Sequence, residues 1–207
     1  MNEQKKKFII EIYRKKEPEE LTAILADPAG KLEIGSAAAL CGAEACALAL
    51  RAARMAAEGR EKDESLDYLL RNLDKLRSYM VYLIDEDVKG RNILRRAVKE
   101  GDPRKIEAAR GPAAAISDEV ICQMINVVDL LTELQPYADQ ESVEYIGSAL
   151  ELALAAIYSA RLFCVKLASE SSDETYAFIV RRENELRLEG LRPKAEALRA
   201  WVEDAIR

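Results

Sequence analysis

The sequence predicts an all-α protein, a multi-helix bundle with two long antiparallel helices, on three observations. Apolar residues recur at alternating steps of three and four over long stretches, the spacing that lines one face of a helix. The chain is rich in Ala, Leu, Glu, Lys and Arg, which cost least in a helix. No strand-like alternation of useful length and no fixed-period repeat appears. With 207 residues, 49% of them apolar, the chain is expected to form one domain, residues 1–207, around one core.

Residues 3–16 and 18–26 read as two short helices. The first, within a basic N-terminal segment 1–16, carries Lys5, Lys6, Lys7, Arg14, Lys15 and Lys16 and reads as a solvated terminal helix. The second is opened by Pro18, whose missing N–H costs nothing in a first turn. Asp27-Pro28-Ala29-Gly30 makes a turn. The stretch Ser36 to Ala57 is so rich in small side chains that a neighbour's backbone can approach closely, which places this helix centrally, and Gly59 closes it.

From about Asp63 to Glu100 a packed seam runs through Leu66, Leu69, Leu73, Leu76, Met80 and Leu83. Continued at the same spacing it meets Asp87, Gly90, Leu94 and Ala97. Unbroken, this helix is about 55 Å long. That exceeds the width of a compact domain, so part of it is expected to be shared with a second subunit in a homodimer.

Asp102 and Pro103 supply a cap and a first helical residue. Gly111 and Pro112 are expected to break or kink the helix that follows. A segment from Ser117 to Leu134 then buries Val120, Ile121, Met124, Val127, Val128 and Leu131. Ser142 is the expected cap of another long helix reaching Ser169, whose seam reads Val143, Ile146, Leu150, Ala153, Ile157, Ala160, Cys164, Leu167. Residues 171–207 are expected to form C-terminal capping helices with a turn near Gly190 to Pro193.

Histidine is absent, which removes Ser-His-Asp and Cys-His catalysis and leaves carboxylates, Lys, Tyr or Cys as acids and bases. Cys41, Cys46, Cys122 and Cys164 lack metal-ligand spacing and read as buried thiols, so no metal is expected. A net charge of -6 argues against general nucleic-acid affinity. Neither a Walker-type nor a dinucleotide-type glycine loop is present. No leader pattern opens the chain. Charge interrupts both apolar runs, Glu44 in one and Glu151, Arg161 and Lys166 in the other, where a membrane span needs roughly twenty predominantly apolar residues. A cytoplasmic protein without membrane contact is expected.

Asp87 is the candidate for chemistry. A carboxylate at a seam position loses water and can be tuned to act as acid or base. Gly90, one step further on, removes a side chain and leaves room for a ligand. The pattern equally allows the helix to leave the core there, with Asp87 solvated or paired to Arg91 at i, i+4. Arg91, Arg95 and Lys166 are the cations available to balance it. Asp85 and Glu86 point elsewhere around the helix and read mostly as solvated surface. Tyr79, Tyr82, Tyr137 and Tyr145 read as core-edge residues rather than the lip of a pocket.

Gly35-Ser36-Ala37-Ala38-Ala39-Leu40, then Ala45-Cys46-Ala47-Leu48-Ala49-Leu50, then Leu83-Ile84-Asp85-Glu86-Asp87 resemble the cyclodeaminase and methenyltetrahydrofolate cyclohydrolase family, which includes the C-terminal domain of formiminotransferase-cyclodeaminase. The likeness extends through Ala108-Ala109, Pro112 and the helix from Ser142, covering residues 20–170 in element order. It implies an all-helical dimer that takes a tetrahydrofolate derivative as substrate, formimino- or methenyltetrahydrofolate, in a cleft near the glycine-containing turn. It implies Asp87 as the catalytic acid or base. Gly30, Gly35, Ser36, Gly90, Arg91 and Lys166 are the expected substrate-binding residues.

Where the family has a Pro-Thr-Pro-Gly-Gly-Gly-Ser type turn, this chain has Asp27-Pro28-Ala29-Gly30-Lys31-Leu32-Glu33-Ile34-Gly35-Ser36. Leu162 and Lys166 stand where the family tends to carry asparagines. These departures motivate an alternative: a diverged member that keeps the helical dimer as a binding or assembly subunit. An unrelated helical scaffold, with a different helix order, is the third reading.

Overall fold

The computed structural model describes residues 12–207. After a 3-10 turn at Tyr13–Lys15 come six helices: α1 (Pro18–Ala26), α2 (Ile34–Ala57), α3 (Glu64–Glu100), α4 (Pro103–Leu134), α5 (Val143–Ser169) and α6 (Glu174–Ile206). A second 3-10 turn, Gln135–Tyr137, links α4 to α5. Among the described residues there is no strand, as the all-α reading expects. The basic helix expected over residues 3–16 lies largely outside the described residues. Within them, only the short turn at Tyr13–Lys15 forms.

Helices α2 to α5 make a four-helix bundle in which α2 and α4 each pack on both α3 and α5. Short connections make successive helices antiparallel, so α3 and α4 are the long antiparallel neighbours. Across the bundle α2 also touches α4, running parallel to it: Gly35 faces Ser117, and Gly42 faces Met124. Small side chains permit this approach. Ala39, Ala45, Cys46, Ala49, Ala52 and Ala53 are fully enclosed, and α2 is the central helix its composition predicts. α6 lies on the outer side of α5, with a lesser contact to α4.

The seams are where the periodicity puts them. Leu66, Leu69, Leu73, Leu76, Met80 and Leu83 of α3 are buried, as are all six apolar positions expected in α4 and all eight in α5. Each large aliphatic side chain so enclosed contributes about 1.5–3 kcal/mol. The ends follow local chemistry as well. Asp63 accepts the Ser65 and Leu66 N–H groups, and Asp102 accepts that of Arg104 ahead of Pro103. Gly101 ends α3 at φ +72°, where only glycine is unstrained, and its N–H donates to the Ala97 and Val98 carbonyls.

Four expectations need correction. α4 runs unbroken through Gly111 and Pro112. Proline costs a helix about 3 kcal/mol, but Ala109, Ala113 and Ala114 are buried around it, and packing holds the helix together. α6 likewise passes through Gly190 and Pro193 without a turn, held by buried Leu188, Leu191, Ala195 and Leu198. Ser142 occupies the N-cap position of α5 but does not cap it. Its hydroxyl instead accepts the Asp139 N–H at 2.9 Å, while its own N–H donates to Asp139 Oδ1 at 2.8 Å. Finally, α2 and α5 are long and apolar enough to cross a bilayer, their few charges notwithstanding, and here both pack inside the bundle.

Candidate functional site

The first turn of α2 lacks a cap of its own. Glu33 sits at the N-cap position in extended backbone and makes no side-chain bond to the helix. The acceptor comes from α3 instead. Asp87, 0% exposed, takes the Ser36 N–H on Oδ2 at 2.9 Å, and the Ser36 hydroxyl lies 2.8 Å from the same oxygen. That hydroxyl also lies 3.2 Å from the Ile84 carbonyl oxygen. A carboxylate at a helix start meets the free N–H groups and the positive end of the helix dipole.

Gly35 makes the approach possible. A Cβ there would stand 2.1 Å from Asp87 Oδ1 and 2.9 Å from the Ser117 hydroxyl.

Arg91, one turn further along α3, donates from Nε to Asp87 Oδ1 at 3.1 Å. It is 4% exposed, and its guanidinium stacks 3.5 Å from the centroid of the Phe163 ring. Arg91 also pairs with Glu33, and Arg95, a further turn on, pairs with the other oxygen of the same carboxylate. An ionic chain thus runs Asp87, Arg91, Glu33, Arg95 from the core to the surface. Arg91 Nη2 and Ser117 Oγ are buried beside it without a hydrogen-bond partner.

Outside this chain lies an open cleft of about 760 Å³, walled by residues 27–34 together with Leu25, Ala37, Asn92 and Arg95. Gly30 is part of its wall, where the chain folds back so tightly that a Cβ would meet the Ile24 carbonyl oxygen at 2.1 Å.

The structure therefore brings together Asp87, Gly35, Ser36 and Arg91, and places Gly30 in the neighbouring cleft. Gly90 leaves space for the α4 backbone rather than for a ligand: a Cβ would lie 3.1 Å from the Pro112 carbonyl oxygen. Lys166 is exposed on α5 and does not line the cleft. Of the two readings the pattern left open for Asp87, solvation is excluded; the pairing with Arg91 is present, but inside the core.

The acidic run also departs from expectation. Asp85 is 6% exposed and accepts the Tyr13 N–H at 2.7 Å and the Arg14 N–H at 3.3 Å, with the Arg14 guanidinium 3.2 Å away. Only Glu86 faces outward, paired with Lys89 at 2.6 Å. Glu33, Ser117 and Phe163 went unread in the sequence. Glu33 carries the one usable signal, since it directly precedes the apolar helix at a capping position. Among the described residues no three His, Cys, Asp or Glu side chains gather as a metal site. Tyr79 and Tyr82 stack on each other with ring centroids 6.2 Å apart, whereas Tyr145 and Tyr137 sit beneath Arg51 and Arg60.

Fold and site together define an antiparallel all-α bundle built on a small-residue helix whose start is closed by an acid from its long neighbour. The formiminotransferase-cyclodeaminase family model matches residues 19–185, and the chain belongs to that family. Among solved structures it is similar to formiminotetrahydrofolate cyclodeaminase from Thermotoga maritima, with a TM-score of 0.79 and 19% identity over 93% of this chain and 96% of that one. At that identity the likeness establishes the fold. A search of curated protein sequences finds no match.

Proposed function

We propose that the protein is a cytoplasmic, homodimeric cyclodeaminase or cyclohydrolase acting on a tetrahydrofolate one-carbon derivative. The ligand lies in the cleft beside residues 27–37, and Asp87 serves as acid or base. Closing formiminotetrahydrofolate to methenyltetrahydrofolate releases ammonia; opening methenyltetrahydrofolate by addition of water at that carbon, with cleavage of one C–N bond and loss of a proton, gives formyltetrahydrofolate. Both pass through a tetrahedral carbon between nitrogens and need a group that moves protons to and from it. The observation that carries this reading is the position of Asp87 at the start of α2, directly behind the cleft wall. Glu33 and Ile34 face the cleft, and Ser36, two residues on, is bonded to the carboxylate. The Glu33–Arg91 pair stands between the cleft and the carboxylate, and a ligand reaches Asp87 only when that pair opens.

A second reading has its own support. Asp87 is fully enclosed, and its oxygens are already served by Ser36 and Arg91, an arrangement complete without substrate. On that reading the protein is a diverged binding or assembly subunit. Following methenyltetrahydrofolate by its absorbance, with folate binding measured alongside, separates the two. Turnover lost in a folded Asp87→Asn variant supports the enzyme. Binding without turnover supports the diverged subunit in a binding role, and neither binding nor turnover at high folate concentration sinks the enzyme and leaves only an assembly role.

A further inference from the structure

We infer that Arg95, on the wall of the cleft, and Arg91, buried behind Glu33, form a carboxylate-binding subsite, and that Glu33 is its internal occupant, displaced when an acidic ligand docks. The inference rests on the cleft being the ligand site, but not on the ligand being a folate or being turned over. Two guanidiniums at i, i+4 on α3 each engage a different oxygen of one carboxylate. This is the two-point geometry in which arginine recognises planar oxyanions.

The two partners differ in how firmly they are held. Arg91 is fixed independently of Glu33, by Asp87 at Nε and by the Phe163 ring beneath its guanidinium. Its Nη2 is a further buried donor without a partner. Glu33 is the movable member: its side chain is 37% exposed, it lines the cleft, and it contributes no capping bond to α2. When it swings out, α2 keeps its cap from Asp87, and two positive charges are left facing one buried negative charge. A carboxylate brought by a ligand restores the balance.

Charge alone would suit phosphate as well. The seat, however, is already shaped around two coplanar oxygens, and Asn92 beside Arg95 on the cleft wall can donate to a neighbouring carbonyl. Glu33 competes from within at an effective concentration on the order of millimolar or above, so the native chain holds simple carboxylates weakly.

The test is calorimetric titration of the full chain with glutarate, using neutral glutaramide and inorganic phosphate as comparison probes. Glu33→Gln should bind glutarate about tenfold or more tightly than the native chain. Adding Arg95→Ala should abolish that gain, and glutaramide should bind to none of them. The proposal is overturned by a Glu33→Gln protein that binds glutarate no better than native, by a gain that survives Arg95→Ala, or by preference for phosphate over glutarate. Glu33→Ala serves as the second variant, with thermal unfolding confirming that each protein is folded. A glutarate gain without folate turnover sinks only the enzymatic reading, and turnover without a glutarate gain sinks only this one.

Discussion

From Leu66 to Leu83 every fully buried side chain of α3 is apolar; from Asp85 to Arg95 three of the buried ones, Asp85, Asp87 and Arg91, are charged and bind neighbouring segments. Both stretches lie on one continuous helix and are buried to a similar degree. The first gains from water leaving apolar surface, which is non-directional and tolerant of small shifts. The second must offset the desolvation of charges with bonds of fixed geometry, and loses heavily when one partner goes missing. The apolar half holds the bundle together, whereas the ionic half holds two other segments in register: the start of α2 through Asp87 and the Tyr13–Lys15 turn through Asp85.

The largest effect is expected from removing Asp87. Asp87→Ala takes away the buried partner of Arg91, leaving it only the half-exposed Glu33, and removes the acceptor at the start of α2; it should cost about 3–5 kcal/mol. Adding Arg91→Leu should recover part of that loss, because an apolar pair needs no charge balance. Leu73→Ala in the other half should cost about 2–5 kcal/mol by leaving a cavity, with no such rescue. Denaturant unfolding of the single and double variants measures all of this. An Arg91→Leu change that only adds to the loss would break the ionic account.

Asp85→Asn comes next, at about 1.5–3 kcal/mol, the range for hydrogen bonds to a charged acceptor. Its effect should be confined to one place. Hydrogen exchange should accelerate at the Tyr13 and Arg14 amides and stay unchanged at Ser36.

A pair of glycine substitutions compares the two halves through α2. Gly35→Ala drives a methyl group into the Asp87 carboxylate and should lose about 1–3 kcal/mol. At Gly42 the methyl meets Met124 Sδ at 3.0 Å and Met80 Sδ at 3.1 Å, the ends of flexible side chains. There the gain in helix propensity, about 1 kcal/mol, should leave Gly42→Ala close to neutral. Thermal melts of the two variants decide the point.

The smallest effect is a local difference between two buried thiols. Burial pushes the Cys46 and Cys164 thiols up to about 12, so at pH 8 neither holds appreciable thiolate until the structure opens. After burial, Cys46 feels the charge of Arg77, in the apolar half of α3, and Cys164 those of Asp118, Arg187 and, less strongly, Arg91, whose guanidinium stacks on the adjacent Phe163. Asp87→Asn should therefore speed thiol labelling at Cys164 more than at Cys46, with Leu73→Ala showing the reverse order. Mass spectrometry of labelled peptides reads both sites at once.

The same division explains what the sequence discloses. Leu66 to Leu83 and Val143 to Leu167 are legible because burial repeats with the helical period, a local signal. Pro112 and Pro193 mislead because a break is a local expectation and the packing that overrides it is not. Asp87 is legible as an anomaly, a charge at a seam position. Of its surroundings only Arg91, at i, i+4, is legible; Ser36, and the Glu33 and Phe163 that hold Arg91, come from other elements, and nothing in their spacing ties them to residue 87. Asp85 fails for the same reason: its heading away from Asp87 is correct, but a heading does not reveal that Tyr13 and Arg14 lie in that direction.

The acid that closes the first turn of α2 stands 51 residues downstream of Ser36. An ordinary capping residue is in place as soon as its own turn forms, whereas this one arrives only once the chain has doubled back and α3 has docked. The first turn of α2 is thus completed late in folding. The bond then acts as a latch on the way out, so Ser36→Ala should quicken unfolding in stopped-flow experiments while leaving the refolding rate nearly unchanged.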